Sequence, residues 1–230
     1  MLEDVIKKLE NIKKQGFILA KYSHCGGVGN TLEEKLEIKE NNIKLPDLGI
    51  VEIKAKQVDS ESMLTLTSKS PKPRGINKKL FESYSHIAKD GIRKLYTTIY
   101  GSRLNIQGFR VIFDNDKLKI INSKNIDAYW LTKEILEQLT TKANKILLVL
   151  AKKMEVKNQI KYHYYETYLL SGLSNTRIKE AIKNGKLKID IRIGADKTGK
   201  NIGKYHDHGT GIRISKRDYL SLFKSSKQYI

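Results

Sequence analysis

Apolar residues recur at helical spacing in several parts of the chain. Residues 2–15 place leucine, isoleucine and valine three and four positions apart, which predicts an amphipathic helix that ends at Gly16. The same spacing predicts helices over residues 131–144 and 174–187, and Gly185 closes the second of these.

A glycine-rich turn at residues 26–29 precedes another predicted helix. Asn30 or Thr31 is a suitable N-cap, and Glu33 and Glu34 follow in the first turn. Acidic side chains at that end are favoured by the helix dipole. The pattern therefore places a glutamate near the start of a short helix.

Alternating or continuous apolar runs predict strands elsewhere. Residues 109–122 have the pattern of a hairpin with its turn at residues 114–116. Residues 145–156 have the apolar run of a buried strand, and residues 188–196 and 209–215 alternate cleanly. This mixture predicts an α/β (α+β) chain with a mixed sheet flanked by helices.

The chain shows no internal repeat and no low-complexity linker. Its 230 residues suffice for one large domain or for two smaller lobes with a core of their own. We expect two lobes, with residues 1–155 in the first and residues 156–230 in a smaller C-terminal lobe.

The charge balance is the strongest indication of a binding partner in the composition. Lysine and arginine number 44 against 25 acidic residues, so the net charge is +19. A charge of this size indicates a polyanionic partner, and nucleic acid is the first candidate. An AT-rich genome is the alternative explanation, because it enriches lysine, isoleucine and asparagine whatever the function.

Targeting signals and cysteine pairing add little. No apolar run approaches the roughly 18 residues of a membrane span, and no signal-peptide pattern opens the chain. The single cysteine, Cys25, has no partner for an internal disulfide, which fits a reducing compartment. We therefore expect a soluble, cytoplasmic protein without a membrane partner.

One predicted strand carries unexpected charges. Within residues 46–56, PDLGIVEIKAK, Glu52 and Lys54 alternate with apolar residues, and Asp47 lies just before the strand. Alternate side chains share a face of a strand. The residues expected to face the core are Val51, Ile53 and Ala55, and those expected on the other face are Glu52, Lys54 and Lys56.

Two interpretations of these charges compete. A glutamate and a lysine two residues apart on a strand commonly form a solvated surface pair. Two carboxylates and a lysine at one place also suit phosphodiester hydrolysis, because hard oxygen ligands bind Mg²⁺ and a lysine can position water or phosphate. Glu33 could approach the same cluster from the preceding helix.

A second group of polar residues lies near the C-terminus. Asp190 and Arg192 share one strand face, and His206, His208 and Arg213 follow. Arginine fits the O6 and N7 atoms of guanine, aspartate accepts from the amino group of cytosine, and histidine can donate to guanine. This set of residue types suits a target rich in G·C pairs.

Roles other than base recognition also fit the same residues. Asp190 and Arg192 could form a same-face salt bridge, and His206 and His208 could be part of a transition-metal site. The stretch 194–204 could be a flexible basic loop, for which phosphate contact is the most plausible use.

Four blocks of sequence resemble the MvaI/BcnI type II restriction endonucleases. They are GGVGNTLEEKLE (26–37), PDLGIVEIKAK (46–56), MLTLTSKSPKPRGIN (63–77) and DIRIGADKTGKNIGKYHDHGTGIRI (190–214). The last block is the most specific and is more similar to the MvaI branch. The first two blocks also resemble the mismatch-repair nicking enzyme MutH, a more distant relative.

The resemblance implies a PD-(D/E)xK restriction-endonuclease-like fold and hydrolysis of DNA with Mg²⁺, for which Mn²⁺ is expected to substitute. By position, Asp47 and Glu52 match the metal ligands, Lys54 the catalytic lysine, and Glu33 the early helix glutamate of the family. Leu48 to Val51 are less polar than the family pattern, although the spacing is kept. The first lobe would be catalytic and the C-terminal lobe would recognise DNA.

The resemblance also implies how DNA is read. Members cleave as monomers, one strand at a time, within CC-N-GG-type sites, and the likeness to the MvaI branch favours CC(A/T)GG. The residues that would read bases in the major groove are Asp190, Arg192, His206, His208 and Arg213. From the residues themselves, Lys69 and Arg74 could enter the minor groove or contact phosphates from a loop at the other side of the duplex, although a solvated basic turn is an alternative. Lys197 and Lys200 in the basic loop could contact the DNA backbone.

The implied partners are double-stranded DNA and, functionally, a cognate DNA methyltransferase that protects the host. Two other functions fit parts of the sequence. One is a MutH-like nicking endonuclease that a partner protein activates. The other is a DNA-binding module whose nuclease core has decayed, against which Asp47, Glu52 and Lys54 argue by being intact.

Overall fold

The first helix buries the apolar face that its spacing predicts. Helix α1 (Leu2–Lys14) turns four side chains into the core: Val5, Ile6, Leu9 and Ile12. The chain leaves the helix at Gly16, whose φ of 69° lies in the left-handed region that glycine tolerates.

The computed structural model describes residues 2–22, 26–38, 46–195 and 203–230, which form two compact units. Unit 1 comprises Met1–Ser62, Thr140–Ser174 and Tyr219–Ile230. Unit 2 comprises Met63–Leu139 and Asn175–Asp218. Both units are thus assembled from segments that lie far apart in the sequence.

Unit 1 is built on a mixed sheet. Its strands are β1 (Ile18–Leu19), β2 (Glu52–Gln57), β9 (Lys145–Val156), β10 (Gln159–Ser171) and β13 (Ser225–Gln228), and its helices besides α1 are α2 (Gly27–Lys35) and α6 (Tyr219–Leu222). The order is β1-β10-β9-β2, with β13 also paired to β10. β2 runs parallel to β9 and the other pairs are antiparallel. Apolar residues of α1, α2, β2, β9 and β10 form its core.

Unit 2 contains two antiparallel sheets. The larger has the order β3-β12-β11-β5-β4 and the smaller the order β6-β7-β8. The strands are β3 (Leu64–Ser68), β4 (His86–Ile87), β5 (Arg93–Ile99), β6 (Arg110–Asp114), β7 (Lys117–Ile121), β8 (Ala128–Leu131), β11 (Leu187–Ala195) and β12 (Tyr205–Ile214). The helices are α3 (Ile76–Tyr84), α5 (Asn175–Lys183) and the first part of α4 (Thr132–Ala143).

Several elements form where local patterns predict them. The predicted hairpin is β6–β7, in which Asp114 pairs with Lys117 across a turn that contains Asn115 at a φ of 50°. Asparagine tolerates this left-handed conformation better than most residues, which suits it to a tight turn. The predicted strand over residues 145–156 is β9, with the same bounds.

The structure divides the chain differently from the predicted boundary at residue 155. That boundary would separate β9 from β10, which pair along almost their whole length, with Lys145 opposite Ser171 and Val156 opposite Gln159. The strands of unit 2 likewise bring residues 63–139 together with residues 175–218. A single cut in the sequence cannot describe units that are built from such long-range pairs.

The start of α2 also differs from the prediction of Asn30 or Thr31 as N-cap. The helix begins at Gly27, and Gly26 precedes it at a φ of 102°. A Cβ at Gly27 would lie 2.3 Å from the carbonyl oxygen of Tyr22, so the backbones approach too closely there for any side chain. The glycines thus allow the helix to start earlier than its polar residues indicate.

Among the described residues, every helix is too short or too polar to span a lipid bilayer.

Candidate functional site

Strand β2 brings a buried glutamate and a lysine into direct contact. Oε1 of Glu52 accepts a hydrogen bond from Nζ of Lys54 at 2.5 Å. Glu52 is only 2% exposed, whereas a quarter of the Lys54 side chain is exposed. The pair is therefore not a solvated surface pair. Val51, Ile53 and Ala55 pack in the core as predicted, but Glu52 and Lys56 on the other face of β2 are buried as well.

A second lysine approaches the same carboxylate. Nζ of Lys142 lies 3.7 Å from Oε1 of Glu52. Lys142 belongs to the last turn of α4, just before β9. Because β9 pairs in parallel with β2, with Ile146 opposite Glu52, the residues before β9 come to the same end of the sheet. Local patterns in the sequence do not reveal this contact.

Asp47 is held at the entrance to β2 by a tight turn. Its Oδ2 accepts a hydrogen bond from the backbone N–H of Ile53 at 2.8 Å. The turn is closed by hydrogen bonds from Leu48 N–H to Val51 and from Gly49 N–H to Pro46, with Gly49 at a φ of 75°. Asp47 is thereby fixed beside the strand that carries Glu52 and Lys54.

The other oxygen of Glu52 is the chemically unusual atom. Oε2 is buried and, among the described residues, has no hydrogen-bond partner. An unsatisfied carboxylate oxygen away from water is costly, so its persistence needs an explanation. A cation bound at this oxygen would satisfy it.

Glu33 does not join these carboxylates in a metal-binding group. Within the part of the chain that the structure describes, no three His, Cys, Asp or Glu side chains are arranged to hold a metal. Helix α2, which carries Glu33, packs on β2.

Burial raises the pKa of the Tyr164 phenol, and the charges of Tyr162 and Glu33 add to the increase.

In unit 2, Asp190 lies between two arginines. Its carboxylate is fully buried, and Oδ2 accepts hydrogen bonds from Nε of Arg192 at 2.7 Å and pairs with Nη1 of Arg213 at 2.9 Å. Oδ1 accepts a hydrogen bond from Oγ1 of Thr98 at 2.8 Å. Asp190 and Arg192 thus form the ion pair expected on one face of β11. Arg213, on the neighbouring strand β12, binds the same carboxylate oxygen.

The two arginines are positioned by their surroundings. The guanidinium of Arg192 lies 5.3 Å from the ring centroid of Tyr96, its partner on β5. Gly211 on β12 pairs with Asp190, and the side chain of Arg213 lies over the position that a larger residue would fill. Both arginine side chains are partly exposed, although Nε of Arg213 is buried, so each can present part of its guanidinium to a ligand.

Replacement of Gly211 by alanine tests this arrangement. A Cβ there would lie 2.8 Å from Nε of Arg213, so we expect the guanidinium to be displaced from Asp190 and affinity for specific DNA to fall by about 1–3 kcal/mol. Titrations of duplex binding measure the change. Gly194→Ala is the control, because its Cβ would make only ordinary contacts, and equal effects of both variants would contradict the prediction.

The two histidines of β12 are neighbours. The rings of His206 and His208 are exposed, with centroids 4.3 Å apart. The His208 ring also lies 6.4 Å from that of Tyr96, which links it to the surface around Arg192. No third metal-ligating side chain joins them in the described ranges.

Comparison with known proteins decides which family this is. A family model for the MvaI/BcnI restriction endonuclease family matches residues 6–223. The chain belongs to this family. A solved structure of an MvaI–cognate DNA substrate complex is 30% identical over 100% of this chain and 98% of that chain, with a TM-score of 0.88. A structure of MvaI in the absence of DNA is also 30% identical, over 100% and 97%, with a TM-score of 0.56. A search of curated proteins gave no match.

Membership of the MvaI/BcnI family confirms the predicted resemblance and the enzyme class, a type II site-specific deoxyribonuclease. The mixed α+β architecture is confirmed as well, with sheets more extensive than helices in the described residues. In this restriction endonuclease, Asp47, Glu52 and Lys54 are brought together in unit 1. Asp190, Arg192 and Arg213 meet in unit 2.

Four residues are predicted to contact the DNA backbone or minor groove. Lys69 and Arg74 belong to the described part of this family member, whereas Lys197 and Lys200 lie outside the described residues. Nζ of Lys69 pairs with Glu134 at 3.1 Å, and Arg74 is exposed. Glu134 also binds Nζ of Lys72 at 2.6 Å, and hydrogen bonds from Lys72 and Lys69 lower the pKa of its carboxyl.

The loop that carries Lys69 and Arg74 is anchored to β8. The indole N–H of Trp130 donates to the carbonyl oxygen of Lys69 at 2.9 Å, and Lys72 exchanges two backbone hydrogen bonds with Tyr129. The loop therefore holds exposed Arg74 on an anchored backbone, whereas the ammonium group of Lys69 is paired with the carboxylate of Glu134.

Proposed function

We propose that this restriction endonuclease hydrolyses DNA phosphodiester bonds with Mg²⁺ held by Asp47 and Glu52. The observation that carries the proposal is the buried Oε2 of Glu52, which has no hydrogen-bond partner among the described residues. Mg²⁺ commonly binds one or two carboxylates, keeps several waters and contacts substrate phosphate. Two carboxylates, the buried Glu52 and the partly exposed Asp47, therefore fit this ion, and Mn²⁺ is expected to substitute.

Each residue of this site has a separate role in the proposed hydrolysis. A bound divalent cation supplies positive charge and a more acidic water for attack on phosphorus. The ammonium of Lys54 is kept in place by Glu52 and is partly exposed, so it can donate to the attacking water or to a phosphate oxygen. Lys142 adds a second positive charge near Glu52. Glu33 is proposed to act indirectly, from α2.

The partly exposed arginines support sequence-specific binding of double-stranded DNA. Arg192 and Arg213 can each offer a guanidinium to the O6 and N7 atoms of guanine. Asp190 is fully buried between them, so we propose that it orients both arginines rather than contacting a base itself. His206 and His208 extend this surface along β12.

The proposed target is CC(A/T)GG. Two guanidinium groups suit a site with a pair of guanines on each strand. The solved complex of the similar MvaI chain with its cognate DNA supports binding of a specific duplex. We further propose cleavage by a monomer, one strand at a time, in the cytoplasm of a cell whose own sites a cognate methyltransferase protects.

A digest of unmethylated phage DNA tests the proposal. Purified protein with Mg²⁺ is expected to give discrete fragments whose sequenced ends lie in CC(A/T)GG. If the fragments end in another motif, the nuclease activity is supported but the proposed target sequence is wrong. Intact DNA with both Mg²⁺ and Mn²⁺ would reject the proposed chemistry, and a circular substrate would show whether one strand is cut first.

Binding should weaken steeply with salt, because the chain has a net charge of +19 and must displace counterions from several phosphates. For about six to ten phosphate contacts, affinity should fall by about 10³–10⁵-fold between roughly 50 and 200 mM salt. Titrations without divalent metal, at several salt concentrations, measure the slope. A nearly flat dependence would contradict extensive backbone contact.

A further inference from the structure

The loop after β5 is held rigidly by one asparagine. Nδ2 of Asn105 donates to Oγ1 of Thr97 at 2.8 Å and to the carbonyl oxygen of Thr98 at 3.0 Å. Its Oδ1 accepts from the backbone N–H groups of Gln107 and Phe109 at 3.0 and 2.9 Å. Because Phe109 is fully buried, both ends of the loop are fixed to unit 2.

This ordered loop presents apolar side chains to solvent. Ile106 is fully exposed and Leu104 is 59% exposed. Single exposed apolar residues are common and need no explanation. Two of them on the same loop, on either side of the asparagine that fixes it, form a preorganised apolar tip, which is a candidate contact surface.

The loop adjoins the surface that carries the arginines. A cavity of about 570 Å³ is lined by residues 103–107 together with Tyr96, Thr98 and Tyr100. Tyr96 lies beneath the guanidinium of Arg192, and Thr98 donates to Asp190. The cavity therefore lies next to the arginine pair within unit 2.

The charge of the loop favours the same partner. Arg103 is exposed and its guanidinium lies 4.8 Å from the ring centroid of Tyr100. An arginine beside the apolar tip can contact a phosphate while the tip contacts the groove. The loop thus continues the positively charged surface of Arg192 and adds apolar groups to it.

We propose that residues 103–107 form a further DNA-contacting element, in which Ile106 and Leu104 pack against the C5-methyl groups of thymines in the major groove. The proposal rests on the proposed function, because the arginines are taken to read guanines in that groove. The thymine methyl is the only apolar group on the base edges there. An apolar tip that continues the arginine surface therefore has one kind of base partner.

Deoxyuridine substitution tests the proposal, because deoxyuridine pairs like thymine but lacks the methyl group. Dissociation constants are measured without divalent metal, on short duplexes in which each thymine of the target and its flanks is replaced in turn. At one or two positions, wild-type binding should weaken by about fourfold, the loss expected when one methyl group is no longer kept from water.

The variant Ile106→Ala should bind the thymine and deoxyuridine duplexes equally at those positions. Leu104→Ala should reduce the ratio of the dissociation constants for the deoxyuridine and thymine duplexes at the position where the Leu104 side chain contacts a second methyl group. Ile121→Ala is the matched control, since Ile121 is another exposed isoleucine of unit 2, on β7, and its variant should keep the full wild-type ratio.

Several results would overturn the proposal. If Ile106→Ala keeps the wild-type preference for thymine at every position, the loop does not read methyl groups, although specific cleavage by the wild type would leave the proposed function intact. If the variant weakens all duplexes equally and abolishes unstacking of a fluorescent base analogue, the loop is a wedge between bases instead. If the wild type neither binds nor cleaves specific duplexes, the proposed function itself fails.

Discussion

Asp47→Asn is expected to lower the cleavage rate by about 10²–10⁴-fold, the equivalent of the several kcal/mol that a bound metal contributes to the transition state, while specific binding in the absence of metal is retained. The amide oxygen of asparagine can still accept the hydrogen bond from the Ile53 N–H, so the turn before β2 should persist. The variant removes only the negative charge that a divalent cation requires. Single-turnover cleavage and duplex titrations measure the two effects separately.

Asp59→Asn is the matched control for this prediction. Asp59 is an exposed aspartate that follows the same strand, in the same unit, and its substitution should leave the cleavage rate unchanged. A near-normal rate for Asp47→Asn would show that Asp47 holds no metal. Loss of specific binding by that variant would instead indicate damage to the fold.

The grouping of Asp47, Glu52 and Lys54 at β2 could be predicted from sequence because it follows from alternation along a single strand and from the turn before it. Glu52 and Lys54 share a face of β2, and the turn before it returns Asp47 to the same place. The burial of Glu52 could not be predicted in this way. It depends on the neighbouring strand β9 and on Lys142 at the end of α4, roughly 90 residues further along the chain.

The arginine surface shows the same limit of local patterns. The face shared by Asp190 and Arg192 was visible in the alternation of β11. The contact with Arg213 depends on the register between β11 and β12, which places Gly211 opposite Asp190 and leaves room for the arginine. Strand register between distant segments is set by the packing of the whole sheet, so local spacing does not reveal it.

The division into units also depends on long-range pairing. A boundary drawn along the sequence at residue 155 assumes that each lobe is one continuous segment. The chain instead returns to unit 1 at residues 140 and 219, because β9, β10 and β13 complete the sheet that β1 and β2 begin. Charge patterns predicted the polyanionic partner but contain no information on this topology.

Asp190→Asn is expected to lower the free energy of unfolding by about 1.5–3 kcal/mol, because two partly exposed guanidinium groups lose the buried carboxylate that accepts their hydrogen bonds. Affinity for the cognate duplex should fall further than affinity for random DNA, since both arginines lose their fixed orientation. Urea unfolding and paired titrations at one salt concentration measure these changes. Asp127→Asn, at an exposed aspartate of unit 2, should alter neither quantity.

The pattern of lost specificity distinguishes the two functions considered for Asp190. If Asp190 orients Arg192 and Arg213, selection of preferred sequences by Asp190→Asn should show weaker preference for guanine at every position that the arginines read. Arg192→Ala should weaken a subset of those positions, at about 1–3 kcal/mol each. If Asp190 accepts a hydrogen bond from a cytosine directly, as the sequence alone predicts, preference should change at that cytosine and the guanine preferences should remain. Because the carboxylate is fully buried and already has three partners, we expect the first pattern.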